Sequence, residues 1–321
     1  MTTAVSVVMS TFNEADRLEQ SIDSVLDQDA ANFELVIVND GSPDGRTATI
    51  LDAKAAGDSR MRVLHKENAG LTRALIDGCD AAKGDYVARL DAGDRYLPGR
   101  IEKQRRFLDD HPDIAVCCCG TRFVDDDGET VLERSRSDSP DTARHGLRAD
   151  KVRDLKGVTH HGAVMFRREV YESVGGYRSE FYFAQDVDLW SRMTDRHGIG
   201  CLPEVLYAAH FTASGISSCY NREQVRLGRL IIEMRRRRDA GLAEDALLAA
   251  AARIRPDRPT EAARRVNRAR GEYFAGCLMT ARTPDKAAVH FRRAVAANPL
   301  HVKALIKLIQ VSLLRNRAVK I

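Results

Sequence analysis

No run of about 18 apolar residues occurs anywhere in the 321-residue chain, which argues against an ordinary membrane-spanning helix. The first residues, MTTAVSVVMS, lack a basic stretch ahead of their apolar positions. They do not read as a secretory leader, and the expected location is the cytoplasm. The seven cysteines, at 79, 117, 118, 119, 201, 219 and 277, form no CxxC pair. A metal or redox site wants spaced pairs, usually with histidines, so these read as buried reduced thiols. Two nucleotide-binding signatures are also missing. In VIVNDGSPDGRT, residues 36–47, Gly41 and Gly45 have neither the GxGxxG spacing nor the lysine of a GxxxxGK[ST] loop.

What is present is an ordinary globular composition, 44% hydrophobic and 30% charged. It suffices for one large domain, or for one domain with a smaller companion. Charge is unevenly spread. Residues 222–321 hold 23 Lys and Arg against 9 Asp and Glu, a net +14; with +4 for the whole chain, residues 1–221 carry −10. Such a split implies two regions with different partners.

The first 120 residues alternate strand and helix signals. VSVVM (5–9), ELVIV (34–38), MRVL (61–64) and YVARL (86–90) read as strands, and apolar spacing predicts helices over 15–28, 46–56 and 70–82. That rhythm implies a parallel sheet with helices on its faces. After about 113, the short apolar strands IAVCCC (114–119) and AVMFRR (163–168) flank a charged stretch, 133–156, that reads as a mobile loop. From 222 onward nearly everything is helical and basic, which puts a domain boundary near 220.

Polar residues gather where the strands stop. Asp91 and Asp94 follow YVARL, at what should be the carboxyl edge of the sheet, where open α/β folds bind ligands. Such a pair either holds a divalent cation that neutralises phosphates or forms a solvated loop. Asp40 either accepts from a base or ribose or serves a turn. Arg73 pairs with a diphosphate or with a surface acid. Asp186 acts as a base or caps a helix carrying Leu189, Trp190 and Met193.

Taken together, VSVVMSTFNEADRLEQSIDSVLDQ, FELVIVNDGSPDGRT, NAGLTRALIDGCDAAKGDYVARLDAGDRYLP, GAVMFRREVYESVGGYR and AQDVDLWSRM resemble, in order and spacing, the family 2 glycosyltransferases of the GT-A fold. The resemblance spans about residues 4–215. It implies an α/β fold, a Rossmann-like and mostly parallel sheet flanked by helices, followed by an all-α extension. The implied domains are a glycosyltransferase domain over 1–220, with a nucleotide-binding half (1–112) and an acceptor-side half (113–220), and a basic helical region over 221–321. The implied reaction is an inverting transfer of a sugar from a nucleoside diphosphate sugar, with a UDP-sugar favoured, to a hydroxyl of a glycan or lipid-linked acceptor.

Position by position, the resemblance places Thr11, Phe12, Asn13 and Glu14 beside the nucleotide, with Ser10 where proline is usual. It places Asp40 at the nucleobase, with Asn39 for the first acid of the usual DDGS, and Arg73 near the diphosphate. Asp91 and Asp94 match the outer acids of DxDD, a motif that binds metal and nucleotide, while Gly93 replaces its middle acid. Mn2+ or Mg2+ is the implied cofactor, and His210, in LYAAHFTASGIS, is a candidate metal ligand or phosphate contact that partly offsets Gly93. Asp186 is the implied base, with Gln185 where glutamate is usual. His161, Gly176, Tyr177, Gln185 and Trp190 fall on the acceptor side, and either His160 or His161 is a candidate to face the acceptor.

The C-terminal region has its own pattern. In AAVHFRRAVAANP, residues 287–299, Ala287, Phe291, Ala294 and Pro299 stand as in the second helix of a tetratricopeptide repeat, with Gly271–Thr280 as the first. One such unit cannot bury its face alone, so it is expected to pack on 222–252 and 300–316. MRRRR (234–238) is either a solvated helical face or a contact to anionic headgroups at the inner face of a membrane. No nucleic-acid motif accompanies it, so nucleic acid is not an expected partner. A second reading is a non-catalytic scaffold that uses the helical tail to bind partners, its lapsed site marked by Asn39, Gly93 and Gln185. The retained Asp40, Asp91 and Asp186 oppose it.

Overall fold

A computed structural model of the chain describes residues 4–318 apart from 31, 127, 137–146, 156, 212–219, 257–259 and 281–282. Cys219, part of the loop expected over 133–156 and the residues after Phe211 in LYAAHFTASGIS lie outside the described residues. The chain divides into two compact units. One comprises Met1–Arg122, Arg134–Ala209 and Arg226–Ile254; the other comprises Phe123–Glu133, His210–Val225 and Arg255–Ile321.

The first unit is built on alternating strands and helices. β1 (Val5–Thr11), β2 (Phe33–Asn39) and β4 (Tyr86–Asp91) are almost wholly buried. Their apolar runs are continuous because helices cover both faces of the sheet. β3 (Met61–His65) extends it at one edge. The strands β1 to β4 pair in parallel, with Ser10 opposite both Val38 and Asp91 and Thr11 opposite Asn39. α1 (Ala15–Leu26), α2 (Arg46–Gly57) and α3 (Leu71–Ala81) are the connections. α1 turns Leu18, Ile22 and Val25 inward at helical spacing. α3 lies so close to the sheet that a Cβ on Gly78 would sit 2.6 Å from Val8 Cγ1.

Beyond β4 the sheet becomes mixed. The further strands are β5 (Arg95–Tyr96), β6 (Ile114–Val124), β7 (Thr130–Arg134), β8 (Val164–Arg167) and β9 (Gly198–His210). The order is β3-β2-β1-β4-β8-β6-β9-β5, with β7 against β6. β8 runs antiparallel to β4, pairing Tyr86 with Arg167 and Ala88 with Met165. α4 (Arg100–Asp110), α5 (Arg168–Ser173) and α6 (Gln185–Met193) complete this part. This is the fold the sequence resemblance implies.

The remaining helices are α7 (Asn221–Asp239), α8 (Asp245–Ala252), α9 (Glu261–Met279), α10 (Pro284–Ala297) and α11 (Val302–Ala318). In the second unit Met279, Ala287, Ala288, Phe291 and Val311 form a core with Val131. The repeat-like positions Ala287, Phe291 and Ala294 all face inward. α9 and α10 approach closely at Gly276, where a Cβ would meet Phe291 Cε1 at 2.6 Å. The arginines of MRRRR are engaged within the first unit. Arg235 and Arg236 reach Asp150 at 3.0 and 3.2 Å, Arg237 donates to the Ala243 carbonyl at 3.0 Å, and Arg238 reaches Asp195 at 2.7 Å and Glu244 at 2.6 Å. No helix among the described residues is long and apolar enough to cross a membrane.

Candidate active site

The parallel register brings Thr11–Glu14, Asn39–Asp40, the loop after β3 and Asp91–Asp94 to one edge of the sheet. Asp40 is buried there. Its Oδ1 accepts from the Ala69 N–H at 2.9 Å and its Oδ2 from the Gly70 N–H at 2.8 Å. Asn39 spans Ser42 N and His65 Nδ1, each at 3.1 Å. These two residues tie the first loops of the edge together. The Asn13 N–H donates to Ser42 Oγ at 3.1 Å, while Phe12 stands exposed. Thr11 Oγ1 is buried and has no hydrogen-bond partner among the described residues. Arg73 is exposed on α3, where its charge lowers the carboxyl of Asp80 against a larger upward push from burial.

Two buried side chains, Arg89 and Tyr207, hold Asp91 and Asp94, and a third, Arg100, packs behind them. Arg89, fully buried, donates to the Val8 carbonyl and, at 2.9 Å, to Asp91 Oδ1. Tyr207 of β9 donates its hydroxyl to Asp94 Oδ2 at 2.6 Å and accepts the Asp91 N–H at 3.2 Å. Arg100, stacked over Tyr96 and Tyr207 at 3.8 and 4.8 Å, donates to the carbonyls of Gly162 and Val164 at 2.8 and 3.2 Å. It thereby fixes the start of β8 against the end of β4.

That contact delivers His160. Its Nδ1 lies 3.9 Å from both Asp91 Oδ2 and Asp94 Oδ2, and the ring stacks on Tyr207. Ligand atoms of Asp91, Asp94 and His160 all lie within 4.8 Å of one another. Two carboxylates and an imidazole are a donor set that Mn2+ accepts, so these residues would hold a divalent cation if they closed on it. Burial alone would raise the Asp91 carboxyl; the charge of Arg89 beside it leads the opposing causes, and the group is held below the usual carboxylate range.

His160 was not among the sequence-derived metal candidates, which named His210. His210 lies at the end of β9 with its Nε2 3.0 Å from Asp126 Oδ1. At Gly93, φ is +93°, and a Cβ would lie 3.7 Å from Glu14 Oε2. The turn between the two acids is therefore shaped for glycine. Glu14 has its carboxyl raised, chiefly by burial.

The residues expected on the acceptor side come from α6, the turn before it and the turn ahead of β8. Gly176 has φ +65°, and a Cβ there would lie 2.8 Å from Tyr171 Cζ; Tyr177 places its Oη 2.8 Å from His161 Nε2. His161 also meets the Trp190 ring edge-on. Burial pushes the His161 imidazole down to about 4, so it is neutral at ordinary pH. In α6 the two acids separate. Asp188 is buried and paired with Arg192 at 2.7 Å and Arg178 at 3.5 Å. Asp186, two residues earlier and partly exposed, makes no hydrogen bond or ion pair among the described residues, yet its charge acts on His160, His161 and Tyr177. Ala184, just ahead of buried Gln185, sits in the left-handed region at φ 54°.

Residues 6–175 match the family described as Glycosyl transferase family 2. The chain belongs to that family, and it is a glycosyltransferase. It is 33% identical over 208 residues to EpsE of Bacillus subtilis (strain 168), covering 63% of this chain and 71% of EpsE. It is 30% identical over 207 residues to the amylovoran biosynthesis glycosyltransferase AmsE of Erwinia amylovora, covering 63% of this chain and 74% of AmsE. Against an uncharacterised glycosyltransferase of Rickettsia felis the match covers only 31% of the relative. Among solved structures, S. aureus TarS 1-349 in complex with UDP-GlcNAc overlays with a TM-score of 0.57 at 14% identity, over 98% of this chain and 92% of that one. The mannosyltransferase PcManGT from Pyrobaculum calidifontis, in complex with GDP-Man and Mn2+, gives 0.56 at 18% identity, over 98% and 81%. At these identities the likeness is one of fold.

Proposed function

We propose that this glycosyltransferase moves a sugar, with inversion, from a nucleoside diphosphate sugar to a hydroxyl of a glycan or lipid-linked acceptor, and that Asp186 is its base. The observation that carries the reading is the unpaired Asp186 carboxylate acting on the same two histidines that neighbour Asp91. A base there takes the acceptor proton as the oxygen attacks the anomeric carbon. Neutral His161, held by Tyr177, keeps a second positive charge away from that base. On the donor side the reading keeps Thr11, Phe12, Asn13 and Glu14 beside the nucleotide, Asp40 at the nucleobase and Arg73 near the diphosphate, and buried Thr11 Oγ1 is a polar atom that a ligand hydroxyl can satisfy. Mn2+ or Mg2+ held by Asp91, Asp94 and His160 supplies charge that stabilises the leaving diphosphate.

A UDP-sugar is the preferred donor in this reading. It draws support from TarS, whose structure was determined with UDP-GlcNAc, while PcManGT, determined with GDP-Man, marks the competing base. AmsE carries amylovoran biosynthesis in its name, and a polysaccharide acceptor is the corresponding assignment here. The test is turnover of UDP-, GDP- and TDP-sugars by the wild type and by Asp186→Asn. Removing a general base costs on the order of 100-fold or more in rate, with nucleotide binding retained. A folded Asp186→Asn enzyme with wild-type turnover sinks the assignment.

A further inference from the structure

The cations of the C-terminal half fall into two groups. Arg235, Arg236, Arg237 and Arg238 each meet an acid or a carbonyl. Lys303 and Lys307 of α11, with Arg292 and Arg293 of α10, make no hydrogen bond or ion pair among the described residues. From Lys286 to Ile321 the sequence has eight Lys and Arg and no Asp or Glu.

α11 also carries an uncovered apolar face. Ala304 and Val311 are buried toward α10, while Val302, Leu305, Ile306 and Ile309, with Leu300 just ahead of the helix, are 44% to 86% exposed. Positions 302, 305, 306 and 309 share one side of a helix, and 303 and 307 fall together along one flank of that stripe. We propose that α11 docks on an anionic lipid surface, with this stripe in the interfacial layer and its lysines at the headgroup phosphates. An apolar face bordered by cations and free of acids is the pattern of helices that lie in a bilayer interface. Lysine stems extend along the apolar layer while the ammonium stays among the headgroups. A second copy fits less well. Packing α11 on α11 would bring lysines against lysines with no acid in the segment to answer them.

The test is flotation of the full chain with phosphatidylcholine vesicles, with and without phosphatidylglycerol at about one third of the lipid. The chain should float with the anionic vesicles alone, and less as salt rises. Lys303→Gln and Lys307→Gln should each weaken binding about fivefold. The double variant Ile306→Ser with Ile309→Ser should abolish it, whereas Arg236→Gln should leave it unchanged. Lys303, Ile306, Ile309 and Arg236 are exposed and Lys307 is half-buried, so folding should be retained and is checked by circular dichroism. Absence of flotation with anionic vesicles, or flotation unaffected by the double serine variant, overturns the proposal. A wild-type dimer by light scattering that the double variant turns monomeric, without flotation, assigns the face to a second copy and overturns it equally. The assay needs no sugar donor, so its failure and that of the glycosyl-transfer reading are told apart.

Discussion

Asp186 and Asp188 occupy the same helix two residues apart and do different work. Asp188 is locked by Arg192 and Arg178, while Asp186 makes no hydrogen bond or ion pair among the described residues, as the proposed base requires. The sequence motif pointed to Asp186 through its place in AQDVDLW; the reason for the division lay in burial, which no single position reveals. Gly93 is the converse case. It departs from the family's acid, and the structure shows why the departure is tolerated: the chain turns there at φ +93° and its N–H is taken by Ser21 Oγ at 3.0 Å. Restoring the acid by Gly93→Asp should therefore lower stability by about 1–2 kcal/mol, the usual scale for an L-residue forced to positive φ, measured by denaturant unfolding. A variant as stable as wild type would show that the turn accommodates a side chain.

The elements legible in the sequence were those of the parallel half. β1, β2 and β4 announce themselves as β-branched runs, and α1 and α3 by their spacing. The direction of β8 was not legible, and with it went His160. Its pairing with β4 is antiparallel, from Tyr86↔Arg167 to Ala88↔Met165, and the turn at His161–Ala163 just ahead of β8 lies beside β4. The pair His160-His161 before an apolar strand was the available signal, and it needed that topology to be read. The junction depends on Gly162, where a Cβ would lie 1.9 Å from Tyr207 Oη. Gly162→Ala should displace Tyr207 from Asp94 and shift His160, costing about 1–3 kcal/mol as overpacking does, and it should weaken metal-dependent nucleotide binding. Unfolding midpoints with and without Mn2+ and UDP test both. Loss of stability without loss of the metal effect would separate the fold of this junction from the site.

At the scale of the molecule, the charge asymmetry was visible in composition, whereas its use was not. The arginine run at 235–238 read as a solvated or lipid-facing patch, and it is engaged by Asp150, Asp195 and Glu244, whereas Lys303 and Lys307 of α11 have no such partner among the described residues. The chain also divides discontinuously, with Phe123–Glu133 grouped with the last helices. Single-pass reading favours contiguous domains and has no means to see such an exchange.

The central claim is that a nucleoside diphosphate binds beside Asp91, Asp94 and His160 with a divalent cation. The most direct measurement is a thermal-shift series with UDP, GDP, TDP and CDP, each with Mn2+ and with EDTA, on wild type, Asp94→Asn, His160→Ala and Asp186→Asn. Ligand at about 100 times its Kd stabilises the native state by roughly 2.7 kcal/mol. The predicted result is stabilisation by one nucleotide, UDP, that requires Mn2+, is lost in Asp94→Asn and His160→Ala, and persists in Asp186→Asn. No shift with any nucleotide, or a shift that survives EDTA and the loss of Asp94, contradicts the account.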